Sequence, residues 1–512
     1  MRELRGAFFL FAAIVLVSVG PYQYRGYKIE KERGAASSLT QTKATIRLGI
    51  DPYAGYFIFR SKAFRDRLLG EGYGLSLADD GGDYKRRVEA LSRGEIDLAV
   101  FTVDSFLLNG RDRDYPGSIV AVLSESKGSD ALVGRVDSVA GIDDLKDGTP
   151  RKIVFTGDSP SHHLLKAISV DFGLEELSGN RSWQRLVGGS EEALEELMSE
   201  RVELAVLWEP DLSVALKDDR FVKLIGSESA AGLIVDVLVA RHDFIQSEPE
   251  ALSDFLGLYY SVLDDYRSNP LDLVEQIALD ANVSEDSART LIDGVEWKGL
   301  SENAFLWFGA LQDGASPMYR LYDSIERTVG VLIEFGDFST SPLPRGDPRS
   351  VIYDTVILDL LGGQSRNRAM AGAGSSRDFR PLNAEQWNSL QSVGTLKLRP
   401  ISFQSGTAGL SPEGVSSIEE MVDILQNYPD FRILVAGHTS ARGDAEANRQ
   451  LSEERARSVA KYLVDHYAID EDRVRAVGVG GEQPLRRLAG ESYRAHQNRL
   501  SRVEFSFLRD TY

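Results

Sequence analysis

Leu91-Ser-Arg-Gly-Glu-Ile-Asp97-Leu-Ala-Val-Phe-Thr-Val-Asp104 and, 106 residues further on, Leu197-Met-Ser-Glu-Arg-Val-Glu203-Leu-Ala-Val-Leu-Trp-Glu209-Pro210 are two versions of one unit. Each reads as a helix end, a tight polar turn and a strand of the form acid-Leu-Ala-Val-apolar that closes on polar residues. The flanking sequence from 45 to 340 alternates short apolar runs (ATIRLGI, SIVAVL, KIVFTG) with helical patterns (FRDRLL, YKRRVEAL, EEALEELM), which predicts an α/β sheet with parallel strands. Two similar units predict two similar lobes. Ligands of open α/β sheets bind at the carboxyl ends of strands. Thr102, Asp104 and Ser105 from one lobe and Trp208, Glu209 and Asp211 from the other are therefore expected at a shared cleft, the alternative being ordinary polar loops.

Two more strand ends repeat the theme. Ile46 to Ile50 runs into Asp51-Pro-Tyr53-Ala-Gly55-Tyr56, where glycine permits close backbone approach and two aromatic rings offer flat faces. Lys152 to Thr156 runs into Gly157-Asp158-Ser159-Pro160-Ser161-His162-His163, with Ser159 as helix cap and Pro160 at the first helical position. Amides of that first turn, with the Ser159 and Ser161 hydroxyls, suit an anion. Asp51, Asp104 and Glu209 suit a cation, and the sequence leaves the choice open.

Taken together, GIDPYAGY, ALSRGEIDLAV, GDSPSHHLLKAISVDFGLE, ALEELMSERVELAVLWEP and WKGLSENAFLWFG resemble the substrate-binding proteins of ABC importers, of the nitrate, sulfonate and taurine type and their thiamine-precursor relatives. The resemblance covers about 45 to 320. It implies a two-lobed, hinge-closing periplasmic binding fold of type II. A small solute would be held by Tyr53 and Tyr56, Thr102 and Ser105, Ser159, Ser161 and His162, and Trp208 with Glu209, and an ABC permease is a possible partner.

The stretch 437–464, GHTSARGDAEANRQLSEERARSVAKYLV, follows the apolar strand Arg432 to Ala436. Asn448, Leu451, Ser452, Arg455, Ala456 and Val459 fall at helical spacing, so a strand-end loop and the Arg455 guanidinium can converge on one ligand, for which a carboxylate is the natural chemistry. With ISFQSGTAGLSPEG before it and VGVGGEQPL and RVEFSF after it, the stretch resembles the C-terminal domain of the OmpA family, shared with peptidoglycan-associated lipoproteins and flagellar stator proteins. That resemblance implies an α/β sandwich over 393–512 that binds the diaminopimelate stem peptide of peptidoglycan without covalent bonds. Arg455 falls on the family's ligand-binding arginine, and Thr439, Asn448 and Leu451 on pocket-shaping positions. Ser440 stands where the family usually has Asp, which removes a charge partner for an ammonium at a cost of ~1–3 kcal/mol.

The remaining sequence bounds the setting. At 512 residues, about three folding units are expected. Lys plus Arg is 58 against 78 for Asp plus Glu, a net charge of −20 that argues against nucleic acid as a partner. There is no cysteine, hence no disulfide, thiolate metal site or lipidated N-terminal Cys. The six histidines have no metal-helix spacing, no Gly-x-Ser-x-Gly elbow or phosphate-loop motif occurs, and neither metal nor cofactor is expected. Gly6 to Val19 is apolar behind Arg2 and Arg5, and through Tyr24 the uncharged stretch would reach ~28 Å as a helix, enough to cross a membrane. Ser18-Val19-Gly20 precedes Pro21, a poor peptidase site, so residues 1–24 are expected to be an uncleaved inner-membrane helix rather than a removed signal. The alternative is a soluble periplasmic protein. Residues 25–44 read as a tether and 341–392 as a linker. Gly6 to Tyr24 holds no Asp, Glu, His, Lys or Arg to carry protons, against a stator-type ion channel. The expectation is a periplasmic binding protein without catalysis. The alternatives are a structural or sensor platform that has lost its solute, and a cell-wall hydrolase.

Overall fold

In chain order the strands are β1 Ala44–Ile50, β2 Tyr73–Asp79, β3 Leu98–Thr102, β4 Gly117–Ser126, β5 Asp130–Arg135, β6 Ile153–Thr156, β7 Gln184–Val187, β8 Leu204–Trp208, β9 Phe221–Gly226, β10 Val235–Arg241, β11 Val295–Trp297, β12 Gln391–Thr395, β13 Arg432–His438, β14 Val474–Gly480 and β15 Arg502–Arg509. They are seen in a computed structural model that describes residues 42–178, 181–230, 232–310, 319–363, 379–404, 407–428, 431–440, 442–467, 469–487 and 490–509. The expected membrane helix at 1–24 and all but the end of the expected tether lie outside the described residues. Among those described, no helix is long and apolar enough to cross a membrane.

The first lobe is a sheet of order β11-β4-β10-β3-β1-β2, and the second a sheet of order β7-β6-β8-β5-β9. Both follow one plan. Three parallel strands, β2-β1-β3 or β7-β6-β8, are joined by an antiparallel strand, β10 beside β3 or β5 beside β8. The repeated sequence units supply the matching strands β3 and β8. Every residue of β3 is buried, because helices cover both faces, and this is why its sequence is continuously apolar instead of alternating. The described chain passes between lobes from β4 to β5 and from β9 to β10. These crossings lie side by side: Ser227 Oγ shares a 2.8 Å hydrogen bond with Ser126 Oγ and accepts one of 2.9 Å from Gly128 N. Helix Arg320–Phe335 spans the division, with Leu321 and Ile325 in the first lobe's core and Val331 and Phe335 in the second's.

The segment expected to be linker behaves otherwise at both ends. Val351 and Ile357 are completely buried in the first lobe's core, and Tyr353 N donates to Ile119 O at 2.9 Å. The apolar run VIYDTVILDLL needs cover, and helix Thr355–Gly363 finds it on that lobe. At the far end, helix Ala384–Ser389 leads directly into β12, an edge strand of the third unit.

That third unit is a sheet of order β12-β15-β13-β14, with β13 and β14 parallel and β15 antiparallel to both β12 and β13. Helix Ala445–Tyr467 lies so close to the sheet that a Cβ on Gly437 would fall 2.0 Å from Ser452 O, and one on Gly478 2.5 Å from Arg449 O. Glycine at those two positions is what permits the contact.

Candidate binding sites

Where the two lobes meet, their cores give way to a polar seam built around aspartates. Asp236, the second residue of β10, lies opposite Thr102, the last residue of β3. Its Oδ1 accepts from Tyr56 Oη at 2.6 Å and its Oδ2 from Ser124 Oγ at 2.7 Å. Burial pushes its carboxyl up to about 8. Asp130 is the counterpart in the second lobe, opening β5 opposite Trp208 at the end of β8. It accepts from Ser126 Oγ at 2.9 Å and from Ser161 Oγ at 3.0 Å, and burial raises it to about 6. Tyr53 packs edge-on against Tyr56 with ring centroids 5.2 Å apart. Its phenol is driven well up by burial and then by the charges of Asp236 and Asp130. Asp104 is 4% exposed, its Oδ1 has no hydrogen-bond partner among the described residues, and burial raises it to about 6.

The cations around this seam are already engaged. Arg87 is buried and pairs with Asp80 and, at 3.1 Å, with Asp51. Lys166 pairs with Asp337 at 2.8 Å. The Tyr56, Ser124, Ser126 and Ser161 hydroxyls donate to Asp236 or Asp130, whereas the buried Tyr53 Oη has no hydrogen-bond partner among the described residues. The seam is therefore rich in acceptors, with the Tyr53 phenol as an uncommitted donor among them.

Of the residues the sequence nominated, Tyr53, Tyr56 and Ser161 come together with the aspartates. Thr102 and Ser105 lie beside them but cap each other, Thr102 Oγ1 donating to Ser105 Oγ at 2.9 Å and Ser105 Oγ accepting from Thr102 N at 3.0 Å. Ser159 serves as helix cap, accepting from His162 N at 3.3 Å and donating to Thr156 O at 2.7 Å. The His162 ring packs 4.7 Å from Phe155 and 6.1 Å from Phe335, and its Nδ1 accepts from Asp158 N. The Glu209 carboxylate receives Ser213 Oγ at 2.8 Å and Ser213 N at 3.2 Å, while Trp208 N donates to Ser190 Oγ at 3.1 Å. Asp51, read as a contact for a cation, is held by Arg87 of its own lobe. Asp236, Asp130 and Ser124 were missed, because they lie on antiparallel strands or before their carboxyl ends. The available signal was a lone acid inside an apolar run, as in Leu-Ile-Val-Asp236-Val-Leu-Val-Ala.

In the third unit, Thr439 follows β13, and its N donates to Gly480 O at 2.8 Å. Thr439 is 6% exposed and its Oγ1 lacks a partner among the described residues. Asn448 closes the loop onto the helix by donating to Ser440 O at 3.3 Å and Arg442 O at 2.7 Å. His438 pairs across the ladder with Arg502, so Thr439 and Ser501 are the next step outward. Arg455 reaches this point: it donates to Ser501 Oγ at 2.8 Å and Thr407 O at 3.2 Å, with its guanidinium 5.0 Å from the Phe403 ring centroid. Its partners are neutral, and among the described residues no carboxylate pairs with it. Leu451 lies half-buried on the same helix, one turn before Arg455. Below the loop, Glu504 is drawn down to about 2, against burial, by hydrogen bonds with His438 and Arg502.

Residues 402–499 match the family model described as OmpA family. Over 105 residues the chain is 35% identical to the peptidoglycan-associated lipoprotein of Legionella pneumophila, covering 20% of this chain and 57% of that protein. It is 33% identical over 104 residues to the peptidoglycan-binding protein ArfA of Mycobacterium tuberculosis, covering 20% and 32%. It is 31% identical over 100 residues to outer membrane porin F of Pseudomonas aeruginosa, covering 20% and 29%. The chain thus spans between about a third and just over half of these relatives' lengths. Among solved structures it is similar to the periplasmic sulfonate-binding protein SsuA from Methylobacillus flagellatus KT, at 14% identity and TM-score 0.49 over 64% of this chain and 96% of that one. It is also similar to the aliphatic sulphonate binding protein SsuA from Escherichia coli, at 14% identity and TM-score 0.47 over 60% and 99%. The chain therefore carries an OmpA-type C-terminal domain behind a two-lobed α/β fold.

Proposed function

We propose that this is a cell-envelope binding protein that holds peptidoglycan through its C-terminal domain and a small solute between its lobes, without catalysis. The observation that carries the wall-binding half is the Arg455 guanidinium, seated on Phe403 beside the Thr439 loop with only neutral protein partners. Such a group retains donors for the free carboxylate of a diaminopimelate stem peptide. Thr439, Ser440, Asn448 and Leu451 shape the rest of that site. The test is retention on purified sacculi: wild type should be retained and Arg455→Ala released, and equal retention of both would end this reading.

The solute half rests on the seam, with Tyr53, Tyr56, Thr102, Ser105, Ser161, Asp104, Asp130 and Asp236 as its lining. Ser159, His162, Trp208 and Glu209 act around it as supports. Carboxyl groups and other acceptors in excess of uncommitted donors, of which Tyr53 Oη is one, favour a solute with a cationic or donor-rich head over a sulfonate-like anion. Native mass spectrometry of gently purified protein tests this. A co-purified amine supports the reading, a co-purified anion reverses the solute class, and no solute after broad thermal-shift screening turns the lobes into a platform. A permease that collects the solute would be the corresponding partner. Residues 1–24 would tether the protein to the cytoplasmic membrane from the periplasmic side, a reading that rests on their sequence alone. Protease protection in spheroplasts, with and without that segment, tests it.

A further inference from the structure

We propose that the second lobe and the wall-binding unit form one rigid body, so that opening or closing of the interlobe cleft changes the separation between the amino-terminal attachment and the cell wall. The protein would then act as a solute-responsive strut. The wall end of this inference rests on the peptidoglycan reading above and its amino-terminal end on the reading of residues 1–24, whereas the rigid body rests on contacts within the chain.

The junction is built like a domain interior. Phe172, at the end of helix Pro160–Phe172 in the second lobe, lies over β12, where a Cβ on Gly394 would fall 2.8 Å from its ring. The same ring is 6.0 Å from Tyr428 and 6.2 Å from Phe507 of the wall-binding unit. One continuous apolar cluster contains Ile168 and Phe172 of the lobe together with Val435 and Phe505 of that unit. Polar contacts close its edge. Asp171 Oδ2 accepts from the fully buried Tyr428 Oη at 2.5 Å and from Arg327 at 3.2 Å. Asp143 accepts from Thr395 N at 3.1 Å and Thr395 Oγ1 at 3.0 Å, and Arg509 donates to Leu224 O at 2.8 Å. A shared core with its rim satisfied should not flex as a linker does.

The seam between the lobes has a different character: it is polar, and besides helix Arg320–Phe335 it is crossed by two adjacent chain segments. Loop residues in such crossings are the kind of element that absorbs the backbone change of a hinge closure. The amino-terminal part of the chain enters the first lobe through β1, which pairs with both β2 and β3 within that sheet. Pull from that end acts on the first lobe, and pull from the wall acts on the second. Linkage then requires that a solute stabilising the closed cleft changes the strut's length, and that tension opposing that change weakens solute binding.

Because the chain lacks cysteine, spin labels can be placed one pair at a time in the full-length protein. Exposed positions serve for the three bodies: Lys85→Cys on the first lobe, Lys217→Cys on the second and Glu454→Cys on the wall-binding unit. Double electron–electron resonance should give one narrow distance for 217–454. Ser161→Trp, a wedge in the seam, should shift or broaden 85–454 and leave 217–454 unchanged. A broad 217–454 distribution in wild type, or equal changes in both pairs, would overturn the rigid body. No change in either pair would overturn the articulation. If the wedge prevents folding, the widths of the two wild-type distributions decide, equal widths refuting the idea. These distances are read without sacculi, so failure here is distinct from failure of wall binding.

Discussion

Arg87→Met removes the cation that, among the described residues, pairs with both Asp51 and Asp80, and the cost can be worked from its surroundings. The guanidinium is 0% exposed, and its partners Asp51 and Asp80 are only 9% and 10% exposed. It also donates to Val100 O at 2.6 Å and lies 5.0 Å from the Tyr84 ring centroid. Burial opposes its charge, but the hydrogen bonds and charges of Asp80 and Asp51 outweigh this and raise its pKa. Methionine would fill much of the volume yet strand two carboxylates, for which breaking a buried pair predicts a loss of about 3–5 kcal/mol. The effect extends to the seam, because Asp51 Oδ1 accepts Tyr53 N at 3.0 Å and so holds the loop bearing Tyr53 and Tyr56. Urea unfolding followed by tryptophan fluorescence, which Trp297 and Trp307 report from the first lobe's core, is the assay. Adding Asp80→Asn to Arg87→Met should recover about half the loss, since one stranded charge is then gone. A variant within about 0.5 kcal/mol of wild type, or a double variant weaker than the single, would refute the argument.

Asp236 has a folded pKa near 8, above its unfolded value, so the folded protein binds the extra proton and stability falls as pH rises from about 4 to about 8. Asp236→Asn, which mimics the protonated acid, should gain stability relative to wild type between pH 5 and pH 9, and parallel pH curves from urea midpoints would contradict this. His163 acts with opposite sign: burial holds it well below its usual value, so His163→Phe should lessen the loss of stability as pH falls below about 6.5. Tyr428→Phe deletes a buried hydrogen bond to a carboxylate at the junction, and a loss of about 1.5–3 kcal/mol is expected in urea unfolding. Arg455→Ala should weaken binding of a diaminopimelate-containing peptide about 10- to 100-fold by calorimetry while the melting temperature changes little, as its protein partners are neutral and its side chain is only half-buried.

Much of this architecture is legible residue by residue. Repeated acid-Leu-Ala-Val strands announce two lobes because a strand covered on both faces must be continuously apolar, a property of the local chain. Gly437 and the Asn448-to-Arg455 helix announce the third unit in the same way, because close strand–helix packing leaves no room for a side chain and helical spacing is local too. Strand direction within a sheet, by contrast, depends on which distant segment supplies the neighbour. Asp130 and Asp236 reach the seam from the starts of antiparallel strands, where a rule based on parallel strand ends does not look. Competition for partners is equally non-local: Asp51 reads as open to a ligand until Arg87, 36 residues away, closes on it. The attachment of the wall-binding unit to the second lobe was likewise decided in three dimensions. A polar segment looks like a loose linker in sequence, whereas Phe172 meeting Gly394 requires two surfaces more than 200 residues apart to fit. Periodicity and motif spacing thus determined the units, and only packing between distant segments decided which polar groups remain for a ligand and which units move together.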